Sequence, residues 1–223
     1  MSGGISSSAA AAFYNKQLDK MIASEKRNGR LSRIMDSLKQ FVTPGMTVLD
    51  VGCGTGIISR FMAHLGADVT AVDMAPDLIE YAKSKSNGHK INYIVQDVGD
   101  IDLKRTFDAI IMADVLEHIE RKDVFRVVLR LLRYHTHEDS LIYLNIPNYS
   151  FVKFMQEKYP SKLQIIDEAW RIEDIVSLFD YQGFAPYAMR MYGLDVQAQY
   201  IEYLFMTKKR LDESFLKTLE KIY

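Results

Sequence analysis

The chain has 223 residues, 48% of them hydrophobic and 26% charged, with a formal net charge of −1, which suits one globular domain with a sizeable core. So balanced a charge disfavours a nucleic-acid partner gripped through many phosphates, and the single cysteine, Cys53, excludes an intrachain disulfide or a paired-cysteine zinc site. No apolar run approaches the ~20 residues of a membrane helix, and the lone cysteine fits a reducing cytoplasm.

Residues 1–12 are small and polar, lack the basic flank and apolar core of a secretory signal, and read as a flexible tail. Between Phe13 and Ser24, Leu18, Met21 and Ile22 stand at helical spacing, and Leu31, Ile34, Met35 and Leu38 mark a second amphipathic helix. Pro44-Gly45 ends it. A short apolar strand, Thr47 to Val51, comes next, then a helix from Ile57 to Leu65 with Gly66 placed to cap it. Asp68 to Val72 is a second strand. Pro76 opens the next helix, with Asp77 in its first turn. Ile91 to Gln96 and Phe107 to Met112 are further strands. Val124, Val127, Val128, Leu131 and Leu132 draw one apolar stripe along a helix between Arg121 and His137. Leu141 to Ile146 is a fifth strand, Ile172 to Tyr181 a helix, and two strand-like runs, Pro186 to Tyr192 and Ala198 to Thr207, close the domain. His64, His89, His135 and His137 read as surface or capping residues, and Lys208 to Lys221 as a solvated tail helix.

Regular alternation of strand and helix predicts an α/β domain with a mostly parallel sheet covered on both faces. Ligands on such sheets sit at the carboxyl ends of the strands, where strand order reverses. The residues following each strand are therefore the functional candidates.

The strongest of these is Val48-Leu49-Asp50-Val51-Gly52-Cys53-Gly54-Thr55-Gly56. Alternate glycines let a backbone turn sharply and approach a ligand closely. The spacing is G-x-G-x-G, and Ile57 stands where a dinucleotide fingerprint needs its third glycine. Asp50, at the strand end, would repel a pyrophosphate and suit an ammonium or sulfonium. The Gly-Lys-Ser/Thr of a phosphate loop is missing. Asp73 ends the second strand, where an acid accepts from ribose hydroxyls or caps the helix at Pro76. Asp97 ends the third: it could accept from an adenine amino group while the Val98 amide donates to the ring, or bond its own turn. Met74 could cover an adenine face.

In this order these features resemble the class I S-adenosylmethionine-dependent methyltransferases, and most of all the group holding the ubiquinone-biosynthesis O-methyltransferases and sugar N-methyltransferases. Asp114-Val115-Leu116-Glu117-His118 is similar to that group's fourth-strand motif. The resemblance runs from about residue 47 to 146. It implies a Rossmann-like sheet of seven strands with an antiparallel last strand, Ala198 to Thr207, and a methyltransferase domain over residues 13–223. Within it, residues 13–45 would form a helical lid and 148–168 an insertion over the acceptor. It further implies S-adenosylmethionine as cofactor, with Gly52, Cys53 and Gly54 beside its methionine part and Asp50 near its cationic groups. Asp73 would hold the ribose, Asp97, Val98 and Met74 the adenine, and Ala113 and Arg30 the amino-acid end.

Methyl transfer to oxygen or nitrogen aligns two reactants and removes a proton. His118 is the first candidate base, because imidazole titrates near neutrality, and Asp114 is a second proton acceptor. Glu117 and His118 could join a metal site, but no third ligand is evident and no metal is expected. Tyr14, Asn145, Asn148, Tyr149, Trp170 and Tyr192 are candidates for the acceptor pocket. Adenine-N6 DNA methyltransferases carry Asp/Asn-Pro-Pro-aromatic where this chain reads Ala113-Asp114-Val115-Leu116. The expected activity is methylation of a small metabolite, with a protein or RNA acceptor, or cofactor binding without turnover, as the other readings. Neither a nucleic-acid nor a membrane partner is expected, and the sequence leaves the oligomeric state open.

Overall fold

The computed structural model describes residues 6–25, 29–86, 88–194 and 198–213. Helix α1 (Ser7–Asn15) begins inside the stretch expected to be a loose tail. Ser6 caps it by accepting from the Ala9 amide at 3.3 Å, and its alanines are the strongest helix formers. The single helix expected from Phe13 to Ser24 is instead two, because α1 stops at Asn15 and α2 (Leu18–Glu25) starts afresh. The expected tail over residues 1–5 and the end of the expected C-terminal helix, past residue 213, lie outside the described residues; residues 208–213 are helical.

From α3 (Gly29–Leu38) onward the alternation holds: β1 (Thr47–Val51), α4 (Ile57–His64), β2 (Asp68–Asp73), α5 (Pro76–Ser84), β3 (Ile91–Val95), β4 (Ala109–Ala113), α6 (Arg121–His135) and β5 (Leu141–Pro147). Then come α7 (Tyr149–Lys158), α8 (Ile172–Asp180), β6 (Phe184–Tyr192) and β7 (Tyr200–Thr207). The seven strands stand in the order β3-β2-β1-β4-β5-β7-β6. The first five are parallel, and β7 is antiparallel to both β5 and β6. Edge strand β6 tolerates Pro186, beside which the register shifts. Helix α7 was not legible in the sequence; its Asn148 cap accepts from the Ser150 amide at 2.9 Å.

The sheet separates two apolar layers. On one face Ile34, Leu38, Met62, Ile79 and Ala82 from α3, α4 and α5 are buried. On the other, Val128, Leu131, Ile175 and Phe179 from α6 and α8 are buried. His135 belongs to this interior and is a correction to its surface reading. It is fully buried at the end of α6, with Nδ1 2.9 Å from the Arg105 carbonyl. Strand order reverses between β1 and β4, whose carboxyl ends therefore open the crevice. Among the described residues no helix is long and apolar enough to cross a membrane.

Candidate active site

A cavity of about 500 Å³ occupies this crevice. Its floor is the turn after β1. Gly52 and Gly54 lie in the left-handed region at φ +66° and +52°, which glycine adopts at little cost. A Cβ on Gly52 would stand 2.6 Å from Val115 Cγ2, and one on Gly54 would stand 2.9 Å from Met21 Cε. The Cys53 amide bonds the Val72 carbonyl at 3.0 Å, and the Gly54 amide donates to Asp73 Oδ2 at 2.8 Å. Asp73 Oδ1 accepts from the Ala75 amide at 2.9 Å. Asp73 thus holds the entry to α5 and also lines the cavity. Burial raises its carboxyl above the ordinary range, against the backbone donors that lower it.

Asp50 is a correction. It is 2% exposed and absent from the cavity wall. Its Oδ2 accepts from Ser59 Oγ on α4 at 2.5 Å, so it braces the loop from behind. Burial, only partly countered by that bond, pushes its carboxyl up to about 7. Asp97 is a second one: Gln96 and Val98 on either side line the cavity and Asp97 does not. Its Oδ1 accepts from the Gly99 amide at 2.8 Å, its own turn, and its Oδ2 from Ser7 Oγ of α1 at 2.5 Å. Met74, Cys53 and Ala113 line the cavity.

Arg30 of α3 reaches the wall and pairs with Asp114 Oδ2 at 3.2 Å. Its guanidinium also lies 5.3 Å from the centroid of Tyr200, a wall residue for which the sequence gave no signal. Asp114 adopts φ +58° directly after β4. Asn145 of β5 holds it there, donating to Oδ1 at 2.9 Å and accepting from the Tyr192 hydroxyl at 2.7 Å.

Another part of the cavity wall is built around His118. Its Nδ1 is 2.7 Å from the Ile166 carbonyl and 3.4 Å from Asp167 Oδ1. A carbonyl only accepts, so Nδ1 carries a proton, and in the neutral ring Nε2 keeps the free lone pair. Tyr14 of α1 meets the ring edge-on at 6.2 Å between centroids. Glu117 is 2% exposed and lines the cavity with Oε1 3.9 Å from His118 Nε2. Burial first, and then Asp114, hold its carboxyl well above the ordinary range.

Of the six acceptor-pocket candidates only Tyr14 reaches the wall. Asn145 and Tyr192 stand behind Asp114, and Asn148 caps α7. Tyr149 packs under Arg171 at 4.3 Å, and Trp170 is a core residue under Arg121 at 4.0 Å. The wall is instead closed by Val152 and Met155 of α7 and by the run Lys162 to Asp167. Among the described residues no group of three or more His, Cys, Asp or Glu side chains converges as a metal-ligand set.

Residues 48–135 match the family model of a methyltransferase domain. Over 80 residues the chain is 45% identical to the ubiquinone biosynthesis O-methyltransferase of Xanthomonas campestris pv. campestris, a match covering 34% of this chain and 34% of that protein. The chain thus spans about a third of the length of the curated relatives it matches. The fold is similar to that of magnesium protoporphyrin IX methyltransferase from Synechocystis, solved with bound SAH, at TM-score 0.63 and 18% identity over 93% of this chain and 90% of that one. It is also similar to an S-adenosylmethionine-dependent methyltransferase from Clostridium acetobutylicum, at TM-score 0.64 and 17% identity over 78% and 89% of the two chains. The matched methyltransferase domain includes the glycine turn, and the sheet has the fold of these solved methyltransferases. The curated relatives it matches include ubiquinone-biosynthesis O-methyltransferases.

Proposed function

We propose that the chain transfers a methyl group from S-adenosylmethionine to an oxygen or nitrogen of a small-molecule metabolite. One observation carries this reading: a single cavity is lined both by the glycine turn, Asp73, Met74 and Val98 and by Tyr14, Glu117, His118 and Asp167. The first set of residues fits an adenosyl group. The turn leaves room that any Cβ at Gly52 would take. Asp73 uses two of its roughly four lone-pair sites on backbone amides, leaving acceptor capacity for ribose hydroxyls. Met74 and Val98 supply apolar and backbone contact for a base. Asp97, committed to Ser7 and Gly99, acts by holding the start of α1 to the turn after β3.

When bound, the cofactor supplies a methyl group made electrophilic by positive sulfur. The chain's own contribution is alignment, exclusion of water and proton removal. Helices α1 and α2, α7 and the 162–167 run wall the cavity, which suits a metabolite better than a polymer. The Ile166 carbonyl and Asp167 fix the His118 ring, and Nε2 is the atom that takes the acceptor's proton. Asp114, already paired with Arg30, positions the turn after β4 and leaves the proton to His118.

Calorimetric titration with S-adenosylhomocysteine and with NADH, followed by turnover against panels of phenols and amines, tests the reading. Tight NADH binding without S-adenosylhomocysteine binding would overturn it.

A further inference from the structure

The Glu117 carboxylate is 2% exposed, and its Oε2 is buried without a hydrogen-bond partner among the described residues. Leaving a buried acceptor unpaired is unfavourable, and more so for a charged group, so a group so placed in a cavity wall awaits a donor. Its surroundings are acidic. Asp167 stands on the far side of His118, with Oδ1 3.4 Å from Nδ1. The Tyr14 hydroxyl, also buried and without a partner, is held protonated by its burial and then by the negative charges of Asp167, Glu117 and Asp73. Arg30 acts on Glu117 and lowers its carboxyl, but less than burial and Asp114 raise it. Arg30 is matched by Asp114 at 3.2 Å, and Lys20 and Lys162 lie exposed, where water and salt screen them. The same cavity is also lined by Phe151, Val152, Met155, Leu163 and Ile165, a surface for an uncharged carbon body.

Resting on the methyl-transfer reading above, we infer that the acceptor is an amine on an apolar or aromatic body, whose ammonium is bound by Glu117 Oε2 in the negative field it shares with Asp167. A phenol or alcohol could use one hydrogen bond here, whereas an ammonium supplies the donor and also the charge the wall lacks. With Glu117 holding the ammonium, one N–H proton passes from it to His118 Nε2, the ring atom 3.9 Å from Glu117 Oε1. The nitrogen keeps the electron pair of that bond, and the neutral amine can then attack. Burial and Asp114 disfavour the ionised form of Glu117, and a bound ammonium is the charge that offsets them.

Two probes of nearly equal shape, 2-phenylethylamine and 2-phenylethanol, test this by calorimetry on the protein loaded with S-adenosylhomocysteine. The amine should bind at least tenfold more tightly than the alcohol. Glu117→Gln, close to isosteric, should bring the two within about threefold while leaving S-adenosylhomocysteine affinity unchanged, and Asp167→Asn should narrow the gap in part. Equal binding of the two probes by the unsubstituted protein, or no binding of the amine, overturns the inference. So does a Glu117→Gln variant that loses affinity for S-adenosylhomocysteine, which would assign this carboxylate to the cofactor. The same pair is titrated without S-adenosylhomocysteine. A preference for the amine in a protein that never binds S-adenosylhomocysteine would refute the methyl-transfer reading and leave the cation site standing.

Discussion

Ser59 Oγ donates to Asp50 Oδ2 at 2.5 Å behind the glycine turn, locking the end of β1 to the first turn of α4. The pair makes stability depend on pH. Asp50 has an ordinary value of 3.8, raised to about 7 by burial, so the folded state binds its proton more tightly than the unfolded state does. Its contribution is fully present below about pH 3.8 and declines as pH rises to about 7. Asp50→Asn keeps a hydrogen-bonding group of similar size without the titration. In the ligand-free protein, thermal unfolding between pH 5 and 8 should show the unsubstituted chain losing about 1–4 kcal/mol relative to Asp50→Asn as pH rises. Parallel stability curves for the two proteins would refute this role.

Asp73 differs in that it faces the cavity and still holds two backbone amides. Asp73→Ala should weaken S-adenosylhomocysteine binding by about 1–3 kcal/mol, the scale of hydrogen bonds to a charged group. Asp73→Asn keeps one acceptor oxygen and should lose less. Calorimetry on both variants checks the order, and unchanged affinity in Asp73→Ala would remove this residue from the cofactor site.

The contrast between Asp50 and Asp73 shows what the sequence could and could not tell. Strand-helix alternation and the G-x-G-x-G spacing located the crevice, because apolar periodicity and turn glycines are written locally. Which way a strand-end side chain points depends on pleat and register. Asp50 and Asp73 both end strands, yet only one lines the cavity. The acceptor wall was harder still. Asn145 and Tyr192 are polar residues near the site whose partners are each other and Asp114. Asp167 sits in an irregular run whose path is set by the Ile166 carbonyl on His118, a contact across 48 residues that no local pattern encodes.

The two loop glycines should not tolerate a methyl equally. Both have positive φ, so alanine at either pays about 1–2 kcal/mol of backbone strain. At Gly54 the new Cβ meets only Met21 Cε, the free end of a flexible side chain, at 2.9 Å. At Gly52 it meets the branched Val115 Cγ2 at 2.6 Å, and Val115 is buried in the core, so overpacking adds about 1–3 kcal/mol. Denaturant unfolding should therefore rank Gly52→Ala as the less stable variant. Equal midpoints would mean that Val115 yields as easily as Met21.

His118 separates binding from chemistry. Its ring is oriented by the Ile166 carbonyl and Asp167 and contacts Tyr14, whereas the glycine turn is held by Asp73. His118→Gln should accordingly lower kcat by about 10²–10⁴, the usual worth of a positioned base, while S-adenosylhomocysteine affinity stays within about twofold. Asp167→Asn leaves the Ile166 carbonyl in place and should cost far less in kcat, since the carbonyl alone still selects the tautomer with a free Nε2. A steady-state assay on the best amine or phenol acceptor, paired with cofactor titration, reads both quantities. If His118→Gln loses cofactor affinity in step with kcat, or loses neither, the proton is taken elsewhere and the ring only holds the 162–167 run in place.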